Sequence, residues 1–172
     1  MTASISSINY CPVKSISFQT ASYCEIRKNI GIVGDRVFAF SKGLEFNQAQ
    51  LFEKNLDERR GKWNKILTLK NSPVLNKYNF KFEDNKLIFS QKNSEILTID
   101  VSKTSEYNLL SNKILELENS LQKPIFLMKN TDIPFFDTSI SNKTVLTHSI
   151  SLINNQSIED FKNKTNQEIE IQ

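Results

Sequence analysis

The sequence predicts a mainly β protein of the α+β class, and three observations carry that expectation. Short β-branched and aromatic runs recur through the first hundred residues, separated by polar clusters. Sustained helical periodicity is strongest at one place, residues 107–121. Only four Gly and four Pro punctuate 172 residues, so the breaks fall at Asn, Asp, Ser and Lys instead.

Taken in order, residues 5–10 read as a strand that stops at Cys11-Pro12. Residues 22–27 alternate Tyr23/Glu25/Arg27 against Cys24/Ile26, which predicts a second strand. After Gly31 and Gly34 comes Arg36-Val37-Phe38-Ala39-Phe40, the next strand. Residues 48–60 are helix-compatible but polar, with Leu51, Phe52 and Leu56 as anchors. Strands are expected at 66–69, 78–82, 87–89 and 96–101, with a hairpin turn at Glu83-Asp84-Asn85-Lys86. Tyr107, Leu110, Ile114, Leu117 and Leu121 form one apolar helix face, closed by Pro124, and residues 125–128 read as a strand. Beyond Pro134 come a polar loop, a strand at 144–147 and a second helix carrying Ile150, Ile153, Ile158 and Phe161, with Ser149 as its N-cap. Residues 168–172 alternate like the start of a strand, so the chain is expected to stop short of its last element.

Composition excludes several classes of function. Lys+Arg of 22 against Asp+Glu of 19 gives a net charge of +3, too mild and dispersed for a dedicated nucleic-acid or membrane-surface protein. No apolar run approaches the roughly 20 residues of a membrane span. The N-terminus lacks the basic and apolar regions of a signal peptide, so a cytoplasmic protein with free thiols is expected. Cys11 and Cys24 are the only cysteines and His148 the only histidine. A four-cysteine or two-cysteine, two-histidine zinc site is thereby excluded, and His148 reads as a capping or surface residue. Glu168 and Glu170 fit one face of a solvated strand better than a catalytic pair. Only four of the 22 cations are arginine, so each needs a reason that Lys cannot supply.

Three polar clusters are candidates for chemistry. In Pro12-Val13-Lys14-Ser15, Lys14 and the Ser15 hydroxyl can meet an anion at a strand end, or simply form a solvated turn. In Gly31-Ile32-Val33-Gly34-Asp35-Arg36, two glycines permit an anion-binding turn, and Arg36 needs a partner, for which Asp35 is nearest. The alternative is a purely structural Arg–Asp pair. Asp137-Thr138-Ser139 offers hydroxyl and backbone donors, or an ordinary Asx turn or helix cap.

Together and in order, these clusters resemble the MOSC family. Residues 8–15 look like the opening "I-x-x-Y-P-V-K-S" of its N-terminal β-barrel domain, and residues 31–39 are similar to its "G-L-x-G-D-R-x-F-x" signature. Phe136-Asp137-Thr138-Ser139 and residues 145–152 resemble the start of the MOSC domain proper. The sequence departs from the family pattern where Cys11 separates Tyr10 from Pro12. It also ends before the family's "R-F-R-x-N" strand and metal-ligating cysteine, whose position neither Cys11 nor Cys24 matches.

The resemblance implies a β-barrel-like domain with a packed helix over residues 1–130, then an incomplete start of the MOSC domain over 131–172. It further implies binding of the molybdenum cofactor, with Lys14, Ser15, Arg36, Thr138 and Ser139 as its cofactor-binding residues. None of these is expected to be catalytic, and no metal ligand is assigned. The intact parent is expected to be an oxidoreductase on N-hydroxylated compounds or a cofactor-sulfur carrier, working with an electron-transfer or sulfur-donor protein. This chain is expected to be an incomplete and inactive portion, with no pyridoxal phosphate. The rival expectation is a non-catalytic β module that docks a partner or caps a substrate site.

Overall fold

The computed structural model describes residues 4–28, 30–136 and 155–165. The fold is mixed α+β. Nine short strands make three two-stranded sheets and one three-stranded sheet among the described residues, and none of these sheets closes into a barrel. Strands β1 (Ile8–Tyr10) and β2 (Gln19–Ala21) pair antiparallel, as do β3 (Ile26–Arg27) and β4 (Gly31–Ile32). β5 (Phe38–Phe40) pairs antiparallel with the last strand, β9 (Leu127–Lys129). β6 (Tyr78–Glu83), β7 (Lys86–Gln91) and β8 (Ser94–Asp100) form a meander.

Because the strands are so short, side chains complete much of the hydrogen bonding that longer ladders would supply. Ser17 Oγ accepts the Phe80 amide at 2.8 Å, and Gln19 Oε1 accepts the Phe82 amide at 2.9 Å. The same two side chains donate back to the Phe80 and Phe82 carbonyls. They thereby satisfy the free edge of β6 and join it to the β1–β2 pair. On the far side, helix α3 (Tyr107–Leu117) packs against both β8 and β9, and Ser111 Oγ accepts the Leu127 amide at 3.0 Å.

The larger core is phenylalanine-rich. Phe38, Phe40, Phe80 and Phe89 are fully or almost fully buried, with Phe80 stacked on Phe89 at 5.0 Å between centroids and Phe82 edge-on to Phe38. A second, smaller cluster gathers Ala39, Leu44, Ala49, Phe52, Ile66, Met128 and Phe135. β5 contributes to both, with Phe38 and Phe40 in one and Ala39 in the other, as alternation along a strand requires.

Several sequence expectations need correction. The helix expected over 48–60 is two, α1 (Phe46–Lys54) and α2 (Leu56–Arg59), broken at an extended Asn55. Asn55 Oδ1 accepts the Asp57 amide, so its side chain caps α2 instead of letting α1 continue. At 66–69 there is no strand. Ile66 makes one bridge to Ser41, and the chain then turns around Asn71, whose side chain accepts the Thr68 amide and donates to the Ile66 carbonyl. The strand at 22–27 survives only as Ile26–Arg27, since alternation there buries little: Tyr23 is 84% and Ile26 64% exposed. The strand that exists instead, β2, lies just before it. Helix α3 ends at Leu117, a turn earlier than its periodicity suggested, where Glu118 leaves helical geometry and reaches Tyr78 and Lys77. α4 (Asn155–Thr165) carries the exposed Phe161 of the expected second helix. The expected strand at 144–147 and the cap at Ser149 lie outside the described residues.

α1 and α2 are held by a residue with no apolar role. Arg59 is fully buried and donates to the carbonyls of Phe52, Glu53, Ile133 and Pro134, while its guanidinium lies 4.1 Å from the Phe135 ring. Phe52 and Glu53 are in the last turn of α1, where carbonyls have no helical partner and the helix dipole favours a cation. Burial pulls the Arg59 pKa down to about 10, opposed by the nearby Glu53 charge, so the group stays protonated at neutral pH. Losing one such buried donor set leaves carbonyls unsatisfied at about 1–3 kcal/mol each.

Glu118 sets the expected acid response. Burial raises the affinity of its carboxyl for a proton, but hydrogen bonds from Lys77 and Tyr78 and the Lys77 charge outweigh it, and its pKa is lowered. A depressed carboxyl pKa contributes stability that is present above its unfolded value, about 4.3, and is lost as pH falls through the folded value. Tyr78, raised by burial and by Glu118, loses its contribution as pH rises above about 10. Glu118→Gln is expected to flatten stability against pH below about pH 5. Urea denaturation from pH 3 to 7 measures this, and an unchanged slope would contradict the assignment.

Candidate functional site

β1 ends at Tyr10, and the next residues run beside the segment that opens β5. The Arg36 amide donates to the Cys11 carbonyl at 2.6 Å, Phe38 to Pro12 at 3.0 Å, and Lys14 to Phe38 at 2.8 Å. Val13 and Phe38 form a parallel bridge. Two of the three candidate clusters, far apart in sequence, therefore share one short parallel ladder. Asp35 fastens it: Oδ1 accepts the Cys11 amide at 2.8 Å, and Oδ2 pairs with Arg36 Nη1. Gly34, at φ +92°, makes the approach possible, since a Cβ there would sit 3.3 Å from the Tyr10 ring.

Each candidate side chain has a definite environment. Lys14 is 4% exposed, and its ammonium lies 5.7 Å from the centre of the Trp63 ring. Arg36 keeps 30% of its side chain exposed and lies 5.2 Å from the Phe136 ring. Its own carbonyl accepts the Phe135 amide at 2.8 Å, which ties the segment leading to the third cluster onto the same ladder. The Lys14 amide bonds to Phe38, two residues beyond Arg36 on the same ladder. Ser15 is half-buried in the turn beyond Lys14. Thr138 and Ser139 lie outside the described residues.

Backbone conformation separates Ser15 and Arg36 from the rest of the chain. Six non-glycine residues among those described have positive φ. Four are the central pairs of the two hairpin turns, Asp84-Asn85 and Lys92-Asn93, where two-residue loops demand it. The other two are Ser15, at +57°, and Arg36, at +54°. Left-handed geometry costs an ordinary residue about 1–2 kcal/mol, and neither position belongs to a two-residue hairpin. The sequence placed Arg36 at the start of a strand; its left-handed φ makes it the last turn residue before the strand.

Cys11 does not join this site as a thiolate. Cys11 is 3% exposed, its thiol donates to the Val13 carbonyl, and burial pushes its pKa up. Cys24 is half-buried. Among the described residues no group of three His, Cys, Asp or Glu side chains is placed to hold a metal ion. No described helix is long and apolar enough to cross a membrane. Along the ladder the side chains offer a guanidinium at Arg36, an ammonium at Lys14 and a hydroxyl at Ser15. They supply no ligand set for a metal ion.

Sequence reasoning missed Trp63 and Phe136 as partners of the two cations. An aromatic ring paired with a cation across the fold leaves no local spacing signal. Arg59 was foreshadowed only by the scarcity of arginine and by the few apolar anchors around it.

Replacing Ser15 by glycine removes the steric cost of its conformation and adds backbone entropy to the unfolded state. Ser15→Gly is expected to leave stability unchanged or raise it by up to about 1 kcal/mol. Chemical denaturation measures this, and a loss above that size would show that the hydroxyl holds the turn.

No family model matches this sequence, and no curated protein or solved structure is significantly similar to it. A functional reading thus rests on the chain's own residues.

Proposed function

We propose that this chain binds the phosphate-bearing end of a molybdenum cofactor through Lys14, Ser15 and Arg36, as the MOSC resemblance implies. The observation that carries the reading is the left-handed backbone at Ser15 and Arg36. Strain at non-glycine residues outside two-residue hairpins is held by the surrounding structure and recurs at ligand-binding sites, which supports this reading. Arg36 offers the planar fork suited to a phosphate or a pterin edge, and Lys14 adds a compact charge. Thr138 and Ser139 follow Phe136, the ring beside Arg36, by two and three residues in the sequence and complete the proposed donor set.

In this proposal residues 1–130 form the barrel-like domain and 131–172 begin the MOSC domain. The setting is cytoplasmic, and the partner is an electron-transfer or sulfur-donor protein. The cofactor, when bound, supplies oxo-transfer or sulfur-transfer chemistry at its metal. This chain's described residues hold and orient its anionic end, and no catalytic step is assigned to them.

One observation favours a second reading. Arg36 is already paired with Asp35, and both candidate cations already lie near aromatic rings. A module that docks a partner or caps a substrate site needs no more than that.

Calorimetry with 6-hydroxymethylpterin monophosphate and its dephosphorylated counterpart separates the two readings. The cofactor reading predicts binding of the phosphorylated compound, weakened about tenfold or more by Arg36→Ala or Lys14→Met. Circular dichroism should stay native in both variants. Equal affinity for the two pterins, or no change in the variants, would support the docking module instead.

A further inference from the structure

A polar concavity lies away from the ladder, walled by three separate segments. Lys42, Asn71, Ser72, Pro73, Val74, Ser120, Leu121 and Gln122 line a shallow cavity of about 260 Å³. Its walls are fixed from behind: the Lys42 amide donates to the Lys65 carbonyl at 2.8 Å, and the Gly43 amide to the Pro124 carbonyl at 2.9 Å. Asn71 is held by its bonds to Thr68 and Ile66. Gly43, at φ +61°, lacks the Cβ that would lie 2.7 Å from Gln122 Nε2, so the amide can lean over this wall.

The hydrogen-bonding capacity left over defines the ligand. Lys42 is the only charged residue among those that line it and makes no ion pair among the described residues. The Ser120 and Gln122 side chains make no hydrogen bond among the described residues. Ser72 donates its hydroxyl hydrogen to Asn71 Oδ1, which leaves the Ser72 oxygen as an acceptor. The cavity thus offers a cation and donors at Lys42, Ser120 and Gln122, an acceptor at Ser72, and apolar contact from Val74 and Leu121.

We propose that this cavity binds a small hydroxylated phosphomonoester, its phosphate against Lys42 and Gln122 and a hydroxyl donating to Ser72. A phosphate suits this site because lysine serves it as a point charge and the donors at Ser120 and Gln122 can take its further oxygens. The volume lies below the range of drug-sized ligand pockets, which restricts the organic part to a few carbons. The site is independent of Lys14 and Arg36, none of which lines it.

Calorimetry and ¹⁵N-resolved NMR of the full chain with glycerol 3-phosphate test it. The expected result is saturable binding with amide shifts at Lys42, Ser72, Ser120 and Gln122. Binding should weaken about tenfold in Lys42→Met and also fall in Gln122→Leu, a change at an exposed side chain. Glycerol and inorganic phosphate should each bind at least tenfold more weakly. Absence of saturation, shifts confined to other residues, indifference to both substitutions, or equal affinity for inorganic phosphate would each overturn the proposal.

Discussion

The buried carboxylate of Asp35 joins two segments that lie more than twenty residues apart. One oxygen takes the Cys11 amide and the other pairs with the Arg36 guanidinium. That tie fastens the ladder on which Lys14 and Arg36 sit. It aligns residues 11–14 with 36–38 in a parallel ladder, which a chain of short strands would otherwise hold weakly. Arg36, beside Asp35, is left-handed, with its guanidinium near the Phe136 ring and part of its surface open to solvent. A charge pair with one partly exposed partner adds little stability by itself; its effect is to set conformation.

Around that ladder the fold makes the same compromise repeatedly. Strands of two or three residues cannot satisfy their own backbones, so hydroxyls and amides of Ser17, Gln19, Ser41 and Ser111 stand in for missing strands. Arg59 does this for the end of α1 and for the segment 133–134. That segment leads into Phe135 and Phe136, so the buried arginine positions the ring that faces Arg36. Two of the four arginines thus serve one region, the first by holding its frame and the second by facing solvent.

The sequence was most informative where the signal is local. The Asp84-Asn85 turn, the meander strands around it and the apolar face of α3 follow from turn chemistry and periodicity. Legibility failed where distant residues decide the outcome. Asn55 breaks a helix because its side chain caps the next one. Residues 66–69 turn because Asn71 reaches back to Ile66. β2 exists because Ser17 and Gln19 can grip β6. The Gly-Asp-Arg turn was identifiable from its glycines, and the Asp35–Arg36 pair was anticipated. The Cys11 amide bond to Asp35, the aromatic partners Trp63 and Phe136, and the strain at Ser15 depend on the folded arrangement.

The chain has only four arginines, so their side-chain Nε–H signals can be resolved individually by ¹⁵N NMR. Titration with a phosphorylated pterin therefore tests the cofactor reading at the atom it depends on. The account predicts that the Arg36 signal, assigned by its loss in Arg36→Lys, shifts and saturates with the ligand while buried Arg59 stays fixed. A saturating ligand that leaves the Arg36 signal in place would contradict it.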